Sequence, residues 1–356
     1  MTINWSELGF HYTETDYIVR SAFHGEWVED PQHDDKHLVG EWQQPYATRD
    51  KIIPLHVCAT SLQYGQEAFE GLKVFRGADG KIRVFRWQEN AKRMTNSALA
   101  LKMAVVPPRL FKQAIQLAVT KNIDFIPPYE SGATLYLRPL LIGTTPRLGV
   151  GPGADFEFIV IPSPVGRYFF GNIHCTPLII NRHVDRAAPL GTGRFKVGGN
   201  YAASFRATET AHMMGYDCMF LDSKTHHYID ECSAANFIGI KTDGTTVEYI
   251  TPRSSAILPS ITNKSLMVLA QEMGMKVTRR RIRVEELAQM QEAAACGTAC
   301  VISPISKVVD PDKGITYSFG DEPGPIMTNL YQALQDIQYG RCEDKHHWCT
   351  IIDENK

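Results

Sequence analysis

The strongest constraint on this chain is a rhythm of short apolar runs and helix-period segments, broken once by a proline- and glycine-rich stretch near its middle. From Tyr12 to about Ile161 strands and helices alternate. Ile52 to Val57 reads as an apolar strand, and Leu72 to Phe75 with Ile82 to Phe85 bracket Gly77-Ala78-Asp79-Gly80 as a hairpin. Glu89 to Leu101 is rich in helix formers, and Leu110, Ala114, Leu117 and Ala118 recur at helical spacing until Pro127-Pro128 stops the segment. Leu135 to Ile142 and Phe156 to Ile161 return to strand. Pro162-Ser163-Pro164-Val165-Gly166 through Gly171-Asn172 then has the composition of a linker, although an internal loop would read the same way.

Beyond the break the sequence predicts a strand at Leu178 to Asn181, a glycine-rich loop from Gly191 to Gly199, and a helix starting near Asn200 with Phe205, Thr208 and His212 on one face. Strands near Cys218 to Leu221, Phe237 to Ile240 and Val247 to Ile250 precede a helix on which Leu266, Leu269, Ala270 and Met273 follow i, i+3, i+4, i+7. A last helix carries Ile326, Leu330, Leu334 and Ile337. There is no internal repeat. This mixture predicts α/β or α+β layers. A chain of 356 residues exceeds the roughly 250 to 300 at which one core stops growing, so two packed units are expected, with one large domain as the alternative.

Charge and composition narrow the function classes. Thirty-seven basic against thirty-nine acidic residues leave a formal charge of −2, so no broad attraction for nucleic acid or anionic lipid is implied and a small ligand is expected. The basic run Arg279-Arg280-Arg281-Ile282-Arg283 reads as a solvated strand end or subunit rim. Acidic residues Glu7, Glu14, Asp16 and Glu26 and the lack of an apolar run speak against a secretory signal, and no stretch approaches a membrane span, which makes the cytoplasm the expected location. Eight cysteines without framework spacing suit free thiols.

Two metal-like patterns fail on spacing. Cys342 to Cys349 gathers two thiols with His346 and His347, whereas structural zinc sites present two separated ligand pairs, so a frayed C-terminal tail and no metal are expected. His24-Gly25-Glu26 has the H-x-E element of zinc deaminases, without the Pro-Cys-x-x-Cys that supplies the other ligands.

The chemically distinctive residue is Lys196, set in Gly191-Thr192-Gly193-Arg194-Phe195-Lys196-Val197-Gly198-Gly199-Asn200-Tyr201. A loop lysine is ordinarily solvated. Glycines on both sides, however, permit the close backbone approach that a flat cofactor or an anion requires. A lysine held there can form a Schiff base with an aldehyde cofactor once burial and positive neighbours lower its pKa. The common phosphate loops are missing, since there is no Gly-Lys-Ser/Thr and no G-x-G-x-x-G after a strand.

With this loop, Phe69-Glu70-Gly71-Leu72-Lys73, Leu135-Tyr136-Leu137-Arg138-Pro139, Glu231 with Asn236-Phe237, Ile257-Leu258-Pro259 and Gly297-Thr298-Ala299-Cys300 appear in family order. Over nearly its whole length the chain resembles the branched-chain-amino-acid aminotransferases, fold-type-IV enzymes dependent on pyridoxal 5'-phosphate. The resemblance implies a two-domain α/β (α+β) fold, with a smaller N-terminal domain at residues 1–165, a linker at 166–176, and a larger C-terminal domain at 177–356 carrying the lysine, the site lying between them. It implies ping-pong transfer of the amino group of leucine, isoleucine or valine to 2-oxoglutarate, in a cytoplasmic homodimer or higher homo-oligomer. Its partners would be amino acids and 2-oxo acids.

By the same resemblance Lys196 is the Schiff-base lysine and proton shuttle, and Glu231 pairs with the pyridine nitrogen, keeping the ring protonated as an electron sink. Arg93, in Glu89-Asn90-Ala91-Lys92-Arg93-Met94, matches the phosphate-binding arginine. Tyr201 matches the donor to the cofactor's phenolic oxygen, and the N–H groups of Ile261 and Thr262 would meet the phosphate at a helix start. Thr298 is a cofactor contact, and with Ala299 it would bind the substrate carboxylate. Phe10, Tyr64, Phe69, Tyr136 and Tyr168 would surround the side chain, and Arg138, on the same strand face as Tyr136, would accept the second carboxylate of glutamate.

Departures from the family pattern are specific. Cys300-Val301-Ile302-Ser303 lacks the second thiol of a C-x-x-C switch, Ala234 stands where several relatives place threonine, and Arg253-Ser254-Ser255-Ala256 is one residue shorter. D-amino-acid transamination and aminodeoxychorismate lyase, the other activities of the fold, fit poorly with Arg138 among aromatics. A non-catalytic scaffold fits poorly with both Lys196 and Glu231 present.

Overall fold

A computed structural model describes residues 3–30, 35–166 and 174–353. The chain divides into two compact units: residues 1–167, 195–198 and 338–356 form the first, residues 168–194 and 199–337 the second. The sequence alone places residues 195–198 and 338–356 in a C-terminal domain; the structure groups both with the first unit.

In the first unit the strands are β1 (Ile18–Asp30), β2 (Asp35–Trp42), β3 (Tyr46–Thr48), β4 (Glu67–Phe69), β5 (Leu72–Arg76), β6 (Ile82–Phe85), β7 (Thr134–Gly143) and β8 (Phe156–Val165). The helices are α1 (Thr60–Tyr64), α2 (Trp87–Ala100) and α3 (Pro108–Thr120). Joined by the chain's last strand, Cys349–Ile352, they make a nine-stranded sheet in which β6, β5, β7, β8, β1 and β2 lie side by side. The expected hairpin forms, with Val74 opposite Val84 and Arg76 opposite Ile82. One face of the sheet packs on α2 and α3 through Val74, Val84, Met94, Phe111, Ile115, Leu135, Leu137 and Phe158. Truncating a fully buried ring such as Phe111 would cost about 3–5 kcal/mol.

Three expectations in this unit are corrected. Residues 52–56 form no strand, and Ile52 and Val57 are exposed; an apolar run without partners is not enough. The prolines at 162 and 164 lie within β8, opposite Leu137 and Leu135, rather than in a linker. They are tolerated because β1 pairs with β8 only as far as Val160, so beyond it β8 has an open edge with no ladder donor to supply. The C-terminal tail is not frayed: Cys349–Ile352 pairs antiparallel with β6, Trp348 is buried, and the Cys349 N–H donates to Asp344 at 2.7 Å.

The second unit contains β9 (Thr176–Asn181), α4 (Gly198–Ala202), α5 (Phe205–Met213), β10 (Asp217–Leu221), β11 (Ile229–Cys232), β12 (Asn236–Thr242), β13 (Val247–Pro252) and α6 (Ile261–Glu272). It continues through β14 (Lys276–Arg280), β15 (Glu292–Gly297), β16 (Val301–Asp310), β17 (Ile315–Ser318) and α7 (Pro325–Gln338); the first unit's closing strand is β18. Its sheet runs β11-β10-β9-β16-β15-β12-β13-β14, and β11 also pairs with β12, so the first six of these close into a ring. The pair that closes it is Glu231 with Asn236. Leu178, Met219, Phe237, Ile250, Leu287, Ala295 and Val308 share its apolar cluster.

The helix expected from Asn200 is two pieces, and its buried face is Ala207 and Ala211 rather than Phe205 and His212, which are exposed. Small side chains there let α5 lie close on Cys218 and Phe220. On α6, Leu266, Leu269 and Ala270 are buried while Met273 caps the exposed end. The basic run ends β14 as a solvated edge, Arg280 pairing with Glu286. Among the described residues no helix is long and apolar enough to cross a membrane.

Candidate functional site

Lys196 is tied by its backbone before its amine does anything. Its N–H donates to Ser97 Oγ on α2 at 2.9 Å, and its carbonyl accepts from the Phe69 N–H at 3.0 Å. Gly198 follows because a side chain there would strike Glu67. The half-buried side chain carries Nζ to 4.5 Å from the centre of the Phe69 ring. Burial, and then the neighbouring Arg93 charge, push the amine's pKa down to about 8, against an opposing pull from Glu70.

Arg93 and Asn90 lie one turn apart on the buried face of α2. The Arg93 guanidinium donates through Nε and Nη2 to the two oxygens of Glu70, each at 2.7 Å. On β7 the strand alternation sends Leu135 and Leu137 into the core and Tyr136 and Arg138 to the other face. Arg138 donates to the Tyr136 hydroxyl at 3.1 Å and lies 4.8 Å over the Phe69 ring. Phe10 meets Tyr136 edge-on at 5.2 Å. A Cβ on Gly71 would sit 2.1 Å from that hydroxyl, so any larger residue there would displace the Tyr136 ring.

The first unit therefore brings Lys196, Phe69, Tyr136, Arg138, Phe10 and Arg93 into one neighbourhood. Tyr64, at the end of α1, is exposed and donates its hydroxyl to the Leu148 carbonyl. Tyr168 lies outside the described residues.

In the second unit Glu231 is buried on β11 and accepts from the Leu258 N–H, with Asn236 Nδ2 at 3.4 Å and Arg186 Nη2 at 3.6 Å. Asn236 is itself held, its Oδ1 accepting from Asn263 Nδ2 at 3.2 Å, while Asn263 Oδ1 accepts from the buried Tyr249 hydroxyl at 2.8 Å. Ser260 caps α6 by accepting the Asn263 N–H. Helix geometry gives the N–H groups of Ile261 and Thr262 in that first turn no carbonyl within the helix, the arrangement that suits an anion. Both residues are buried.

Thr298 and Ala299 form the tight turn between β15 and β16, and Val301 after them has φ 63°, a costly conformation for a β-branched residue. Tyr201 sits half-buried on α4. Across the Lys196 loop, Asn200 donates to the Thr192 carbonyl at 2.8 Å, and Gly193 passes so close to the Ala256 carbonyl that a Cβ would stand 2.4 Å away. No group of three potential metal ligands occurs among the described residues.

Within the first unit, a lysine amine with its proton loosened beside a buried arginine suits an aldehyde that also bears a phosphate; within the second, a buried carboxylate backed by arginine suits a protonated ring nitrogen, and a capped helix start suits an anion. The family model for amino-transferase class IV matches residues 67–308. The chain belongs to the class IV aminotransferases. This aminotransferase is 41% identical to the branched-chain-amino-acid aminotransferase of Haemophilus influenzae over 99% of both chains, and 43% identical to that of Helicobacter pylori over 97% of both. Its fold matches the Escherichia coli branched-chain amino acid aminotransferase with a TM-score of 0.76 at 26% identity, over 96% of this aminotransferase and all of that chain. It also matches the T.th. branched-chain amino acid aminotransferase complexed with N-(5'-phosphopyridoxyl)-L-glutamate, at a TM-score of 0.74 and 27% identity over 86% and 96% of the two.

Sequence reasoning passes over Glu70, Arg186 and Asn263. Glu70 carries no signal of burial in its own stretch of sequence, and Arg186 and Asn263 reach Glu231 and Asn236 from 45 and 27 residues away in sequence.

Proposed function

We propose that this aminotransferase moves the amino group of leucine, isoleucine or valine to 2-oxoglutarate with pyridoxal 5'-phosphate as cofactor. The observation that carries the reading is the Lys196 amine, loosened to about 8 and seated over Phe69 beside Arg93. A lowered value leaves more of the amine uncharged near pH 7 than in an ordinary lysine. The branched-chain relatives and the phosphopyridoxyl complex of the T.th. neighbour support the choice of substrate and cofactor.

When bound, the cofactor supplies an aldehyde that condenses with amines and a ring that takes up electrons. Lys196 Nζ would hold the aldehyde, and the same amine would carry a proton to and from the substrate Cα. Arg93 and the first-turn N–H groups of Ile261 and Thr262 bind the phosphate. Glu231, paired with Arg186 and oriented by Leu258 and Asn236, would hold the proton on the ring nitrogen. Tyr201 donates to the phenolic oxygen, and Thr298 takes part in cofactor and carboxylate binding together with Ala299.

Phe10, Phe69 and Tyr136 offer an apolar wall to a branched side chain, while Arg138, stacked on the same rings, offers a charge to the second carboxylate of glutamate. The two half-reactions of a ping-pong transaminase ask one pocket for both. A panel of amino donors with 2-oxoglutarate tests this: glutamate should form with L-leucine, L-isoleucine and L-valine. Turnover with D-alanine and none with these three would refute it.

A further inference from the structure

Glu70 occupies, with Gly71, the two-residue link between β4 and β5, and it has no exposed surface. A carboxylate taken out of water needs several donors to remain charged. It accepts from Arg93 Nε and Nη2 at 2.7 Å each, from Asn90 Nδ2 at 2.7 Å and from the Gly71 N–H at 3.3 Å. Its own N–H donates to the Pro139 carbonyl on β7 at 2.7 Å. The carboxylate is thus fixed to the sheet by its backbone and to α2 by three donors on side chains one turn apart.

Side-on pairing of this kind sets the plane of a guanidinium as well as its place, because two parallel bonds remove rotation about the last side-chain torsions. An arginine that must meet a phosphate has to present the end of its fork, and a fork left to rotate loses much of its advantage over lysine. Glu70 also stands near enough to Lys196 to raise its pKa, so one buried acid acts on both Arg93 and Lys196.

From this geometry we infer that Glu70 is a positioning residue, the buried counter-ion that orients Arg93 to receive the cofactor's phosphate. The inference rests on the reading of Arg93 given above. A purely structural acid would hold the link between β4 and β5 and would not distinguish one ligand from another; a positioning acid acts on the phosphate alone.

The test compares pyridoxal 5'-phosphate with pyridoxal, which has the same aldehyde and ring but no phosphate. Uptake of each by cofactor-free full-length protein is followed by visible absorbance, in the native protein, Glu70→Gln and Glu70→Asp. Loss of one charge-assisted pair should weaken pyridoxal 5'-phosphate binding in Glu70→Gln by about tenfold or more, with pyridoxal changed by less than about threefold. Glu70→Asp, which keeps the charge on a shorter stem, should fall between. Equal weakening of both ligands, or no change in either, overturns the inference. If Glu70→Gln does not fold, the same ratio in Glu70→Asp decides, an unchanged ratio counting against. A native protein that takes up neither ligand would instead contradict the assignment of Lys196, which is a separate failure.

Discussion

Arg186 Nη2 stands 3.6 Å from Glu231 Oε2, and both side chains are buried. Among the described residues Arg186 Nε has no hydrogen-bond partner, so the guanidinium is held by the Ala256 carbonyl and by charge rather than by a full set of acceptors. Removing one member of a buried pair leaves the other uncompensated, at a cost of about 3–5 kcal/mol. Arg186→Met should lower the urea midpoint accordingly, and adding Glu231→Gln in the same chain should restore much of it. An Arg186→Met protein as stable as the parent would show that the pair carries no such energy.

Lys196 should be the most reactive lysine of the cofactor-free protein near neutral pH. Its pKa lies below that of a free lysine because burial and Arg93 disfavour the charged form, so more free amine exists at any pH below 10. The rate of its modification by a small acylating reagent should rise with a midpoint near 8, and Arg93→Met should move the midpoint upward. Peptide mass mapping across pH measures both. A midpoint at the ordinary lysine value would contradict the account.

Asp230, next to Glu231 on β11, is a buried carboxyl whose pKa burial raises to about 6. The folded state then binds its proton more tightly than the unfolded chain between about pH 4 and 6, and stability falls as pH rises through that window. Asp230→Asn should therefore stabilise the protein at pH 7.5, by about 2–3 kcal/mol at most, and have little effect below pH 4. Denaturation at the two pH values checks it; a uniform effect would point to packing instead.

Gly71→Ala would place a Cβ 2.1 Å from the Tyr136 hydroxyl, which also accepts from Arg138. Displacing that hydroxyl should disturb Arg138 more than the apolar wall, raising KM for 2-oxoglutarate by about three- to tenfold and KM for leucine less. Equal changes in both would separate Arg138 from acid recognition.

Much of this was legible in the sequence where one element speaks for itself. The turn at 77–80 between apolar runs formed its hairpin, and the periodicities of α3 and α6 found most of their buried faces, Leu117 being only partly buried and Met273 exposed. What failed depended on partners. Ile52 to Val57 is apolar without a neighbouring strand, Pro162 and Pro164 are admitted to β8 by its open edge, and Cys349–Ile352 is a strand because β6 offers it a ladder. The same holds at the site. Lys196 stands out among its glycines, but Glu70, Arg186 and Asn263 matter through contacts that only the folded chain creates.

Reduction of the holoprotein with borohydride, followed by peptide mass analysis, tests the central assignment most directly. The phosphopyridoxyl group should be found on the peptide containing Lys196 and lost in Lys196→Ala. A holoprotein that binds the cofactor yet yields the label on another lysine, or on none, would contradict it.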